Sequence, residues 1–247
     1  MKIVDIDGIV LQDTNYGESS KILNVLTKEY GLIGVMSKSC RGLKSKLRGV
    51  SRNLVYGTFH IYYKENGLST LIGVDVKNGF LNILQDLSTI SYASYILDLV
   101  RQVIKENDST DIYDFTISTL TKINEGLDPM VLTNILELKL LDYLGVRPSI
   151  DSCSLCGNTD NIVTLSSSSG GFVCKNCYSD EILVNEKTIK MIRMYYYVDI
   201  DKITKLDVSN EVKKEINDFL DDYYDRYTGI YLKSRKFMKD IERISVE

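Results

Sequence analysis

The sequence predicts an α+β chain, with an all-β amino-terminal third, a helical remainder and a cysteine-bearing insertion among the helices. Three observations lead there. Residues 1–80 hold short segments rich in Ile, Val, Leu and Tyr, divided by turn residues, which is how strands read. From residue 86 apolar side chains recur at spacings of three and four, the helical period. Between two groups of those stretches stands "CSLCGNTDNIVTLSSSSGGFVCKNC", residues 153–177, whose four cysteines fall in two C-x2-C pairs.

The strands come first. Residues 3–12, 20–27, 31–38, 54–64 and 68–77 make five, without a helix between them. Asn66-Gly67 predicts a tight hairpin between the last two, because both residues tolerate the positive φ that such turns need. Glu29-Tyr30-Gly31 joins the second strand to the third. Five antiparallel strands in so short a span fit a small barrel of the oligonucleotide/oligosaccharide-binding (OB) type. In the fourth strand Val55, Phe59, Ile61 and Tyr63 share the predicted core face; Tyr56, His60 and Tyr62 face outward, either to stack on bases or to pack against a neighbouring element.

The helical domain is expected over 81–247, with helices at 86–106, 111–124, 129–144, 185–197, 209–227 and 232–244. Asp128-Pro129 opens the third, since proline needs no amide hydrogen at the first helical position, and Gly145 closes it before Arg147-Pro148. Ser209 is a natural amino-terminal cap.

Charge is unevenly spread. The formal net charge is −4, yet residues 1–80 carry 11 Lys or Arg against 7 Asp or Glu, and residues 81–247 carry 19 against 27. The segment "KSCRGLKSKLRGVSR", residues 38–52, holds Lys38, Arg41, Lys44, Lys46, Arg48 and Arg52 and no carboxylate. Like charges so close repel unless solvent or a polyanion lies against them. A second group, Lys233, Arg235, Lys236 and Lys239, stands on the last helix beside Phe237 and Met238; its readings are a solvated face, a DNA contact or an acidic partner.

The pairs Cys153/Cys156 and Cys174/Cys177 are 17 residues apart, within the range of a four-cysteine zinc site. Four thiolates fill the tetrahedron of one Zn²⁺ and leave no position for water, so the site is structural. This zinc-binding element is expected over 150–180. Two disulfides or a redox pair are the competing reading, which a reducing compartment disfavours. Cys40 stands apart, and His60 is the single histidine.

Several classes drop out. No apolar run reaches the length of a membrane span, and "MKIVDIDGIVLQD" sets three aspartates where a secretion signal needs an unbroken apolar stretch, so a cytoplasmic location without membrane contact is expected. No Ser-His-Asp or Cys-His arrangement can be argued. "IVDIDGIVL", residues 3–11, resembles the first motif of the haloacid dehalogenase phosphatases, with Asp5 as nucleophile and Asp7 as proton shuttle. That motif opens a doubly wound α/β domain, whereas here further strands follow.

Taken together the chain resembles the bacterial DNA repair family RecO. The resemblance rests on "GIVLQDTNYGESSKILNVLTKEYGLIGVMSK" (8–38) with its Tyr16-Gly17-Glu18 turn, the basic "KSCRGLKSKLRG" after it, "LLDYLGVRPSIDSCSLCG" (140–157), "GGFVCKNC" (170–177) and "YLKSRKFMKDI" (231–241). It implies an amino-terminal OB domain, a helical domain with an inserted zinc element, and no bond-making activity. It also implies binding of single- and double-stranded DNA, annealing of complementary strands, and association with RecR and with single-stranded DNA-binding protein. The last implication is help in loading RecA onto coated strands at the nucleoid. Arg41, Lys44 and Ser45 fall where the resemblance expects them. The remaining alternative is a zinc-containing nucleic-acid-binding protein of another pathway, such as transcription.

Overall fold

The computed structural model describes residues 2–105 and 109–246. Its elements are β1 (Lys2–Tyr16), β2 (Ser20–Thr27), β3 (Gly31–Ser37), β4 (Tyr56–Tyr63), β5 (Ser69–Asn78), α1 (Leu87–Val103), α2 (Thr110–Asn124), α3 (Pro129–Tyr143), β6 (Ile162–Ser166), β7 (Gly171–Cys174), α4 (Glu186–Tyr197), α5 (Asn210–Tyr227) and α6 (Lys233–Val246).

The first five strands close into a barrel in the order β1-β2-β3-β5-β4, as the OB reading requires. β1 is long because it serves two neighbours: Gly8 to Tyr16 pair with β2, and Lys2 to Ile9 pair with β4. A register shift between Val10 and Gln12 turns the strand from one partner toward the other. Closure is made by two parallel pairs, Val35 with Ser69 and Met36 with Thr70. Inside lie Ile6, Val10, Leu23, Val35, Phe59 and Ile61, all buried, so alternation along each strand fills one small core.

The predicted face of β4 is the observed one. Val55, Phe59 and Ile61 are buried and Tyr63 packs against the same core, while Tyr62 is 42% exposed. The outward Tyr56 stacks on Phe80 at 6.4 Å between ring centroids, so that aromatic packs within the protein. The β4–β5 connection departs from a two-residue hairpin. Residues 64–68 leave the ladder together; Lys64 N–H donates to Ser69 Oγ at 3.1 Å, and Leu68 covers Gly34, where a Cβ would come within 2.7 Å of it.

Packing divides the chain into two compact units, Met1–Glu125 with Ser234–Glu247, and Gly126–Lys233. In the first, α1, α2 and α6 accompany the barrel. Lys28 pairs with Asp114 of α2 at 2.9 Å, Ser234 Oγ donates to Asp98 of α1 at 2.8 Å, and the Tyr92 hydroxyl donates to Glu242 of α6. Chain order at residue 80 is therefore not the order of packing.

The second unit is built on α3, which is buried over most of its circumference, along Val131, Leu132, Ile135, Leu136, Leu138 and Leu140 and also at Asn134 and Glu137. Its signals hold: the Asp128 carboxylate caps Val131 N–H, Pro129 sits in the first turn, and Gly145 at φ 71° closes the end, with Val146 N–H returning to Leu141 O. Ser209 caps α5 through Val212 N–H, and Tyr224 of α5 donates to Glu137 O of α3 at 2.9 Å.

Candidate nucleic-acid interface and metal centre

The cationic segment is the connection from β3 to β4. It forms no helix; Gly42 N–H, Ser45 N–H and Arg48 N–H each reach back three residues, to Ser39 O, Gly42 O and Ser45 O, so the segment is a run of tight turns. Underneath, it is fixed. Cys40 and Leu54 are buried, Ser37 and Ser51 hydroxyls meet at 2.7 Å, and Lys21 Nζ donates to Ser51 O at 3.0 Å. Asn53 and Asp13 exchange hydrogen bonds between the connector and β1.

On top, the cations are free of carboxylates. Lys38, Arg41, Lys44, Lys46 and Arg48 are exposed and Arg52 is half-buried, and among the described residues none of the six forms an ion pair. Elsewhere on the barrel Lys21 pairs with Asp13, Lys28 with Asp114 and Lys77 with Asp7. The connector thus carries uncompensated positive charge on a fixed backbone, the arrangement that favours a phosphate chain.

The structure adds a neighbour that local sequence does not mark. Arg41 N–H donates to Ser19 O at 2.9 Å, Arg41 Nη1 to Gly17 O at 3.3 Å, and Ser39 N–H to Ser20 Oγ at 3.1 Å. These bonds bring the connector against the β1–β2 turn, where Tyr16 is 55% exposed. An exposed aromatic residue at the turn to which the cationic connector is bonded suits a nucleobase near its phosphate.

The second cationic group is less open than its sequence. On α6 Arg235 is buried and Lys239 half-buried, leaving Lys233 and Lys236 exposed beside a 42% exposed Phe237.

The four cysteines are brought together in the second unit. Their sulfurs lie within 4.8 Å of one another, and Cys156 Sγ stands 3.7 Å from Cys174 Sγ. A disulfide holds its sulfurs at about 2 Å, whereas ligands about 2.3 Å from a tetrahedral metal are about 3.8 Å apart. All four are free thiols, so the geometry fits a metal ion and sets aside the disulfide reading. One pair sits in a turn closed by Gly157 N–H to Cys153 O; the other leaves β7, with Cys177 and Tyr178 N–H both returning to Cys174 O. Burial opposes ionisation of Cys153, but the backbone N–H groups of Cys174, Leu155 and Cys156 outweigh it and pull the thiol down to about 6. The hydrogen bond to Cys156, then burial, pushes Cys177 up to about 12. Crowded sulfurs ionise together only around a cation.

Support comes from the short β6–β7 hairpin, which runs around the serine stretch 166–169. Phe172 and Val173 are buried, and Gly171 lies so close to the preceding chain that a Cβ would come within 2.1 Å of Ser149 O.

Asp5 and Asp7 do not form a phosphatase site. They stand on a barrel strand, where Asp5 accepts from His60 at 2.7 Å and Asp7 is held by Lys77 at 2.6 Å and Thr58 at 2.8 Å. The Lys77 ammonium keeps the Asp7 carboxyl below the usual carboxylate range, the wrong direction for a proton shuttle. Among the described residues the four cysteines are the only cluster with the makings of a metal site.

Comparison with known proteins decides the family. A family model described as recombination protein O N terminal matches residues 1–80, and one described as recombination protein O C terminal matches residues 84–236. The DNA repair protein RecO of Listeria monocytogenes serotype 4b (strain CLIP80459) is 36% identical over 241 residues, covering 96% of this chain and 94% of the relative. The chain belongs to the RecO family. The RecO proteins of Bacillus pumilus (strain SAFR-032) and Bacillus subtilis (strain 168) are 34% and 33% identical, covering 97% and 96% of this chain and 95% and 94% of the relatives. Membership in RecO gives the chain a role in DNA repair and recombination. Among the described residues of this RecO-family chain no helix is long and apolar enough to cross a membrane.

Proposed function

We propose that this RecO-family chain is a recombination mediator rather than an enzyme. Residues 1–80 act as its nucleic-acid-binding domain and 81–247 as its helical domain, with the zinc element at 150–180. It binds single- and double-stranded DNA through Lys38, Arg41, Lys44, Lys46, Arg48 and Arg52, and anneals complementary strands. With RecR it helps load RecA onto strands coated by single-stranded DNA-binding protein, in the cytoplasm at the nucleoid.

One observation carries this reading: six cations without carboxylate partners among the described residues, on one connector bonded to a turn that begins at an exposed tyrosine. Two complementary strands repel through their phosphates. A cationic surface that holds both lowers that barrier and releases condensed counterions, with no bond made or broken in the protein. Cys153, Cys156, Cys174 and Cys177 hold one Zn²⁺, which supplies a closed four-thiolate anchor for the β6–β7 hairpin.

Annealing of complementary oligonucleotides coated with single-stranded DNA-binding protein, without nucleotide or Mg²⁺, tests DNA contact and partner contact together. The expected result is faster annealing than with the coated strands alone. No acceleration on coated or bare strands would overturn the mediator reading and leave the other nucleic-acid pathways.

A further inference from the structure

The two most exposed large apolar side chains among the described residues stand in opposite electrostatic surroundings. Leu43, 85% exposed, lies on the basic connector between Arg41 and Lys44; Ile182, 88% exposed, follows Asp180 and Glu181. An apolar side chain left in water costs free energy that a partner surface can recover. Neither position is loose: the connector is fastened as described, and Thr164 Oγ1 donates to Ile182 O at 2.5 Å.

Ile182 borders a cleft of about 290 Å³ in the second unit. Leu165 and Phe219 give it an apolar part, and Glu181, Glu215 and Asp218 give it negative charge; no Lys or Arg lines it, although Asp218 forms an exposed ion pair with Lys214 one turn earlier on α5, which an incoming cation would have to share. Glu215 is held by Asn185 N–H and Thr188, and Glu181 by Ser179 N–H at 3.0 Å, so the carboxylates keep fixed positions. The cleft is at the small end for ligand sites, with room for one or two side chains. Its charge repels DNA and acidic segments and attracts a cationic segment that carries an apolar side chain.

We propose that this cleft receives the basic connector of a second copy of the chain. Leu43 enters against Ile182 and Phe219, while Arg41 and Lys44 meet Glu181 and Asp218. The contact joins two different surfaces of the chain, and association grows with concentration. Being charge-assisted and small, it is weak and salt-sensitive. Since the connector is also the DNA-binding element, DNA dissolves the association. That competition rests on the function proposed above; the docking does not.

The test uses the full chain and a fluorescein-labelled peptide of residues 38–52. Saturable binding by anisotropy is expected, weakening several-fold as salt rises from about 0.05 M to about 0.3 M. Ile182→Ser with Asp218→Asn lowers peptide affinity by about tenfold, roughly one apolar side chain and one charge contact, and leaves single-stranded DNA affinity unchanged. A Leu43→Ser peptide binds more weakly than the parent. In sedimentation the unlabelled chain associates with rising concentration, and a saturating oligonucleotide returns it to monomer. Equal peptide binding by the double variant, equal binding of the Leu43→Ser peptide, or a monomer at about 100 μM would each overturn the proposal. Docking that survives saturating oligonucleotide supports the cleft and counts against the connector as the DNA site.

Discussion

Arg41 is fastened to the β1–β2 turn through Nη1, which donates to Gly17 O at 3.3 Å. The same residue's backbone N–H donates to Ser19 O. One guanidinium thereby gives the connector both charge and position. The Arg48 side chain, exposed and without an ion pair among the described residues, gives charge alone. Arg41→Ala is therefore expected to weaken single-stranded DNA binding more than Arg48→Ala, by up to about fivefold, the worth of one net hydrogen bond of about 1 kcal/mol. Anisotropy titrations of the two variants check this; equal losses would show that the fastening has no part in binding.

The cysteine cluster predicts about one Zn²⁺ per chain by metal analysis. On the proposed four-thiolate site, Cys174, buried at the end of β7, and Cys156, exposed in its turn, would be ligands of one ion, so either serine substitution is expected to abolish stoichiometric metal. Chelation is expected to lower the melting temperature for the same reason, because such an ion would close a short two-stranded hairpin. A metal-free chain, folded and unchanged in stability at neutral pH, would contradict the four-thiolate anchor.

His60 bridges two strands, with Asp5 at 2.7 Å and Asp75 at 3.0 Å. The Asp5 hydrogen bond first, then that of Asp75, raises its pKa. A raised folded value means that the charged imidazole stabilises the barrel. This contribution is complete below the unfolded pKa of about 6.5 and is lost as pH rises through the folded value. Urea midpoints of the parent and His60→Gln are expected to differ most in mild acid and to converge above neutrality. The difference is small because Asp5 and Asp75 are well exposed. A gap that widens with rising pH would refute the sign.

Two glycines separate strain from crowding. Gly145 has φ 71° and open space around the point a Cβ would occupy, so Gly145→Ala costs only the left-handed backbone, about 1 kcal/mol. Gly171 has φ 146° and Ser149 O within 2.1 Å of where a Cβ would stand. Gly171→Ala is expected to cost more than twice as much, about 3 kcal/mol, by displacing the β6–β7 hairpin. Denaturant unfolding of both variants measures the contrast, and equal costs would show that Ser149 yields freely.

Much of the fold is written locally. Alternation and turn residues place the five barrel strands, and caps such as Asp128 and Ser209 place helix starts, because each is a near-neighbour effect. Cysteine spacing marks the metal centre because the knuckle itself is local. What sequence hides is long-range. β6 and β7 are five and four residues long around a serine run, and their burial depends on the cysteines and on Ser149 approaching Gly171. No local pattern tells that α6 packs with α1, or that Arg41 seeks the carbonyl of Gly17, since a backbone acceptor has no sequence identity. The Tyr16-Gly17-Glu18 turn is legible as a turn, but that it lies against the cationic connector follows only from that bond.

The salt dependence of single-stranded DNA affinity tests the central claim most directly. If all six connector cations meet phosphates, log affinity falls against log salt with a slope of about −4, and replacing Lys38, Arg41, Lys44, Lys46, Arg48 and Arg52 by serine flattens it toward zero. A sixfold variant that remains folded and keeps the parent's slope and affinity would contradict the account.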